Sequence, residues 1–397
     1  MITLDDVRQA AERVAPVLRP TPVEPSETFS RLVGRPVLLK PEHLQRTGSF
    51  KIRGAYNRVS RVAAGGEVVA ASAGNHAQGV ALAAARSGLR STIYMPSTAP
   101  LPKWSATRDY GAAVVEGGAT VDDCIARARE HAESTGAVYV PPFDDRLVIA
   151  GQGTVGLELA TEAGDAEVVV VPVGGGGLVA GVAATLARLR PGVRVVGVQA
   201  AGAASMRGSL DAGRVIALDR LATMADGIAM RSPSELTLAH VRAFVDDVVT
   251  VTEEEISRAV LLLIERAKAV VEPAGAVGVA ALLAGKVGGR GPAVAVLSGG
   301  NVDPLLLIKL IDHGLSSAGR YLLLRVVLGD RPGALAALAT AVAKLGLNVL
   351  AVEHHRAGLR LDLDEVEVLL TLETRDPAHR DGVVAALRAA GFRVEPA

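Results

Sequence analysis

The sequence predicts an α/β protein with largely parallel sheets, followed by a small ferredoxin-like unit of order βαββαβ. Three observations carry this reading. Apolar runs of strand length recur through most of the chain: Val68–Ala71, Val168–Val171, Val195–Val198 and Ala293–Leu297. They are continuous rather than alternating, as in strands of a sheet covered on both faces. Most are followed by a Gly-rich or polar turn and then an Ala-rich helical pattern, the order of a parallel α/β fold. Around Asp312–Arg320 the composition turns small and polar, and the strands beyond it alternate instead.

At 397 residues the chain has room for two or three domains. Aromatics are only 3%, so the cores must be built from Ala, Val and Leu. Lys plus Arg and Asp plus Glu both number 42. No bulk charge therefore recruits nucleic acid or an anionic membrane. The lone Cys124 excludes an internal disulfide framework and a Cys-rich metal site, and it suits a reducing compartment. The start Met1–Asp6 has no basic residue followed by an apolar run, so a signal peptide is not expected and a cytoplasmic location is. Val168–Ala187 is uncharged and about long enough to span a bilayer. Pro172 and four glycines in its first half make it a buried strand, a loop and a helix instead.

Taken in order, four segments carry chemistry. Gly48–Ala55 holds Lys51, an amine able to form a Schiff base with an aldehyde and then serve as acid and base. Alone, a lysine is more often a solvated charge. Ser72–Gly79 follows a strand and opens a helix. Ser72, Asn75 and the amides of Ala73 and Gly74 could hold a carboxylate and a phenolic oxygen, although a helix cap explains Ser72 alone. His76 is more economically read as support for that loop. Gly174–Gly177 lies between a buried strand and the helix opening at Leu178, where amides without Cβ neighbours can converge on one anion. No lysine follows as in a P-loop. Ser298 ends another strand, where its hydroxyl could meet a pyridine nitrogen, although an ordinary turn serine would look the same. An amine, a polar loop, a phosphate cradle and a small hydroxyl are the parts that hold pyridoxal 5′-phosphate. A serine at the ring nitrogen leaves it largely neutral, which suits elimination from the β carbon.

Gly151–Gly156 matches the dinucleotide pattern G-x-G-x-x-G. The acid such a site needs at the end of the next strand is missing, because Glu167 precedes that strand. The match reads as helix packing.

After the polar stretch, Tyr321–Leu328 reads as a strand. Pro332–Leu345 reads as a helix with Leu335, Leu338, Val342 and Leu345 on one face, capped by Asp330 and ended by Gly346. Leu347–His355 and a strand with Val366, Val368, Leu370 and Leu372 on one face follow, then a helix over Val383–Ala390 and a last strand at Phe392–Val394. That order is the split βαββαβ motif.

These segments resemble the threonine dehydratase (threonine ammonia-lyase) family of fold-type II pyridoxal-phosphate enzymes. The resemblance runs through Thr21-Pro22, Leu39–Glu42, Gln45–Lys51, Ala106–Gly111, Pro142–Asp145, Ile149–Thr154, Ala225–Gly227, Val271–Ala276 and Ser298–Asn301. Gly329–Leu335 resembles the ACT regulatory domain. The resemblance implies a tryptophan synthase β-like fold of two α/β lobes over residues 1–320, with a smaller lobe of roughly 53–140 that closes over substrate, and an ACT domain over 321–397. It implies that Lys51 anchors the cofactor, flanked by Phe50. Asn75 would touch the cofactor's oxygen, Gly174, Gly175, Gly176, Gly177 and Leu178 its phosphate, and Ser298 its ring nitrogen. Substrate would lie on Ser72, Ala73, Gly74, Asn75 and His76. The implied reaction converts L-threonine to 2-oxobutanoate and ammonia, and L-serine to pyruvate. An amino-acid effector would bind at an ACT–ACT interface through Asp330, Arg331, Pro332, Gly333, Ala334, Leu335 and Asn348, in a homodimer or homotetramer. Serine racemases are similar, but they carry a serine where this chain has Ala73, and often an acidic metal ligand where it has Gln199. No metal is expected. A non-catalytic amino-acid sensor is the remaining alternative, and the intact Lys51 and glycine loop speak against it.

Overall fold

In the computed structural model, residues 1–317, 319–356 and 361–396 are described. The chain divides into two compact units, Met1–Leu307 and Ile308–Ala397.

The first unit holds ten strands in two sheets. They are β1 (Glu24–Pro25), β2 (Val37–Lys40), β3 (Glu67–Ala71), β4 (Arg90–Pro96), β5 (Ala113–Gly118), β6 (Val138–Tyr139), β7 (Val168–Pro172), β8 (Arg194–Ala200), β9 (Asp247–Val251) and β10 (Ala293–Val296). Six of them form one sheet in the order β1-β2-β10-β7-β8-β9, and four form a second in the order β5-β4-β3-β6. Only the β1–β2 pair is antiparallel. The continuous apolar runs explain this. Every residue of β7 and of β10 is buried, so helices must cover both faces.

The uncharged stretch Val168–Ala187 resolves into β7, a glycine loop and the helix Gly177–Leu189. Among the described residues, no helix is long and apolar enough to cross a membrane. All six residues of the G-x-G-x-x-G match lie inside the helix Arg146–Glu162. Its glycines let that helix press against Arg53-Gly54 on one side and Thr185 on the other.

The second unit is a four-stranded antiparallel sheet of β11 (Tyr321–Gly329), β12 (Val349–His355), β13 (Glu365–Glu373) and β14 (Arg393–Pro396), ordered β12-β13-β11-β14. Leu322, Leu324, Val326, Val366, Val368, Leu370 and Leu372 pack one sheet face against Leu338, Val342 and Leu387. Two helix starts differ from the sequence reading. The first helix runs Ala334–Lys344 and opens on Gly333, whose φ of 92° is left-handed, without a side-chain cap. The Asp330 carboxylate lies 3.6 Å from Arg356 Nη2 rather than on the helix start, and its amide donates to the Asp364 carbonyl at 2.7 Å. Leu335 is therefore 41% exposed, and Ala334 packs on the core in its place. The second helix begins at Pro377, capped by Asp376, whose carboxylate accepts from the His379 amide at 2.8 Å. Its first turns are polar and face solvent, so hydrophobic periodicity could not report them.

Candidate active site

The glycine loop and Ser298 sit where β7 and β10 of the larger sheet end, and Asn75 follows β3 of the smaller one. Lys51 opens the helix Lys51–Val59 and is half-buried. Its Nζ donates to the Pro142 carbonyl at 3.2 Å and lies 5.3 Å from the Phe50 ring centre. Burial pulls its pKa down to about 8, with Glu272 pulling the other way.

The glycine loop follows β7 directly. Gly176 has φ of 95° and caps the helix Gly177–Leu189 without any side-chain acceptor for its first amides. Those amides are left for an anion, where the helix dipole also favours one. A Cβ on Gly175 would run into the Phe143 ring, so the cradle admits no side chain there. Ser298 is 4% exposed just past β10, its carbonyl accepting from the Phe50 amide at 3.1 Å.

One pocket brings these together: Phe50, Lys51, Asn75, Gly174, Gly175, Gly176, Gly177, Leu178 and Ser298 all line it. An uncapped helix start, an amine with a depressed pKa and a hydroxyl in one cleft fit pyridoxal 5′-phosphate.

The Ser72–His76 loop divides in two. Asn75 faces the pocket. Ser72 Oγ accepts from the Gly74 amide at 3.1 Å, and Ser72, Ala73 and Gly74 form the half-buried stretch before Asn75. Gly74, not Ser72, caps the helix Asn75–Arg86. His76 is buried, its Nε2–H donating to the Val140 carbonyl at 2.8 Å. Burial, then the charge of Lys51, pushes its pKa down to about 3. Its side chain is neutral and holds the loop in place. In the second unit, Asp330, Arg331, Pro332, Gly333, Leu335 and Asn348 are exposed and Ala334 is half-buried. Asn348 Nδ2 donates to Glu373 at 3.3 Å.

Several pocket residues received no role from the sequence. Pro142 and Phe143 form one wall, and Gly227, Ile228 and Met230 another. Asp226, beside that second wall, pairs with Lys103 at 2.5 Å. Glu272 is 4% exposed and accepts from Asn75 Nδ2 at 2.7 Å. Burial first, then the charge of Asp226, pushes its pKa up to about 7, against the Asn75 hydrogen bond, Lys103 and Lys51. A signal for it was present: Glu272 is the one charged residue between Lys268 and Lys286. A lone acid in so apolar a stretch has to be buried with a partner.

Fold and site together define a class of α/β enzyme in which a lysine and a helix-start anion cradle hold an aldehyde cofactor. Residues 14–299 match the model of the pyridoxal-phosphate dependent enzymes, and residues 322–392 that of the ACT domain. The chain belongs to the pyridoxal-phosphate dependent enzyme family, of fold type II, and carries a C-terminal ACT domain. It is 46% identical to the L-threonine ammonia-lyase of Thermotoga maritima over 398 residues, covering 99% of each chain. Among solved structures it is similar to a threonine deaminase from T.th., with a TM-score of 0.73 and 43% identity over 76% of this chain and 99% of that one. Maize serine racemase gives a TM-score of 0.74 at 35% identity, covering 79% and 98%.

Proposed function

We propose that this protein is an L-threonine ammonia-lyase that converts L-threonine to 2-oxobutanoate and ammonia, and L-serine to pyruvate. The observation that carries the reading is the single pocket shared by Lys51, Asn75, the glycine loop and Ser298. Its relatives named L-threonine ammonia-lyase support the substrate.

Bound pyridoxal 5′-phosphate supplies an electron sink for the charge left at the substrate's α carbon. The protein's residues do the rest. Lys51 would anchor the cofactor's aldehyde and, once the substrate's amine had taken its place, would move the α proton at Nζ. A pKa near 8 keeps an unprotonated fraction available at neutral pH. Gly174–Leu178 would hold the phosphate, Asn75 the phenolic oxygen and Ser298 the ring nitrogen, with Phe50 and Phe143 lining the same pocket. Amides of Ser72–Asn75 receive the substrate carboxylate, with His76 bracing the loop through Val140.

Residues 1–320 form the catalytic part in this proposal and 321–397 the regulatory part, with an amino-acid effector at the Asp330–Leu335 turn and Asn348. A cytoplasmic homodimer or homotetramer completes it. The test is 2-oxo acid release from L-threonine and L-serine by the cofactor-loaded protein, with Lys51→Ala as control. Release that depends on Lys51 is expected. No release from either substrate refutes the assignment.

A further inference from the structure

Glu272 and Asn301 bracket Asn75 from two sides. Asn301 Nδ2 donates to the Thr47 carbonyl at 2.6 Å and lies 2.7 Å from Asn75 Oδ1. A backbone carbonyl only accepts, so the Asn301 atom facing Thr47 is the nitrogen. That nitrogen only donates, so the Asn75 atom facing it is the oxygen. Asn75 Nδ2 therefore faces Glu272, and Glu272 Oε1 accepts from it at 2.7 Å. This holds for both protonation states of Glu272, since a neutral carboxyl can carry its proton on Oε2.

The amide of Asn75 has two N–H donors. One goes to Glu272, which leaves the other for a partner in the pocket that Asn75 lines together with Lys51 and Glu272. The surroundings are shaped for this arrangement. A Cβ on Gly299 would strike both Glu272 Oε1 and Asn75 Nδ2. The Glu272 amide is itself fixed, donating to the Gly299 carbonyl at 3.1 Å.

Resting on the cofactor assignment above, we propose that Glu272 and Asn301 are positioning residues that clamp the Asn75 amide so that its second N–H donates to the cofactor's phenolic oxygen. Neither residue needs to touch the cofactor in this role. What matters at position 272 is an acceptor oxygen rather than a negative charge.

The test measures cofactor affinity by visible absorbance and equilibrium dialysis on the full chain and on Glu272→Gln, Glu272→Met and Asn301→Ala. Each is titrated with pyridoxal 5′-phosphate and with its analogue lacking the phenolic hydroxyl. Glu272→Gln, which keeps an acceptor oxygen, is expected within about twofold of the parent. Glu272→Met, similar in size without an acceptor, and Asn301→Ala are expected to bind pyridoxal 5′-phosphate about tenfold more weakly. That penalty should vanish on the deoxy analogue, because the lost interaction is with the missing oxygen. A penalty equal on both cofactors, or Glu272→Met binding as the parent does, overturns the clamp and leaves the proposed function standing. An unsubstituted chain that never acquires cofactor absorbance overturns the proposed function and the clamp with it. Should Glu272→Met fail to fold, Asn301→Ala decides from the other end.

Discussion

Arg53 lies two residues past Lys51 on the same helix and is fully buried. Its Nε and Nη2 donate to the two oxygens of Glu42, each at 2.7 Å, and Glu42 is buried as well. Its Nη1 and Nη2 donate to Glu158 at 2.6 and 2.9 Å, and Thr154 and Thr21 accept at 3.0 and 3.3 Å. Replacing Arg53 with Met leaves Glu42 charged, buried and without its cation. Breaking a buried pair in this way costs about 3–5 kcal/mol. Urea unfolding followed by tryptophan fluorescence reads the cost in the first unit alone, because the single tryptophan is Trp104. Adding Glu42→Gln to Arg53→Met removes the stranded charge and should recover more than half of the loss. Since the helix Lys51–Val59 is pinned by Arg53, the single variant should also bind cofactor more weakly. A loss under about 1 kcal/mol for Arg53→Met, or no recovery in the double variant, would show that the charge network does not anchor the Lys51 helix.

Gly175→Ala drives a methyl group into the Phe143 ring beside the anion cradle. Overpacking of this kind costs about 1–3 kcal/mol, and equilibrium dialysis should show pyridoxal 5′-phosphate affinity down by at least tenfold. His76 makes folding acid-sensitive. Its folded pKa of about 3 lies below the free value of 6.5, so the stability it contributes is complete above pH 6.5 and is lost as pH falls from there towards 3. The slope approaches 1.4 kcal/mol per pH unit, so His76→Gln should flatten the urea stability curve between pH 7 and 5 by about 2 kcal/mol. Parallel curves would mean that His76 already carries a proton in the folded chain. Ending the chain at Arg320 should abolish any response of threonine deamination to added amino acids while 2-oxo acid release persists, and an unchanged response would remove the effector site from residues 321–397.

The larger architecture was legible because burial on both faces writes itself into β7, β8 and β10 as unbroken apolar runs, and because Gly174–Gly177 cannot serve a simple turn economically. The network around the site was less legible. Asn301 and Asp226 lie far along the chain from the residues they meet, Asn75 and Lys103, and no local pattern reports such a pairing. In the second unit, the expected Asp330 cap obeyed helix-start statistics. In the structure the Asp330 carboxylate lies 3.6 Å from Arg356 Nη2 instead, and the helix starts after Gly333.

The fold does not choose between lyase and racemase, since a threonine deaminase and a serine racemase match this chain with TM-scores of 0.73 and 0.74. The choice falls to single side chains. Gln199 is buried on β8, with Nε2 donating to the Ala203 carbonyl at 3.2 Å and Oε1 accepting from the Arg207 amide at 2.9 Å. Both ends of its amide are engaged in holding the turn after β8. Ala73, half-buried between β3 and the helix Asn75–Arg86, has no hydroxyl with which to return a proton, at the position where serine racemases carry a serine. Inversion requires proton return at the α carbon from the face opposite Lys51, whereas loss of the β-hydroxyl requires a base on the Lys51 side and a proton for the departing oxygen. The cofactor-loaded protein should therefore consume L-serine without forming D-serine, and Ala73→Ser should yield D-serine detectable by chiral chromatography alongside pyruvate. D-serine from the unsubstituted protein at a rate comparable to pyruvate release would show that another group supplies that proton, and that Ala73 is no barrier to racemisation.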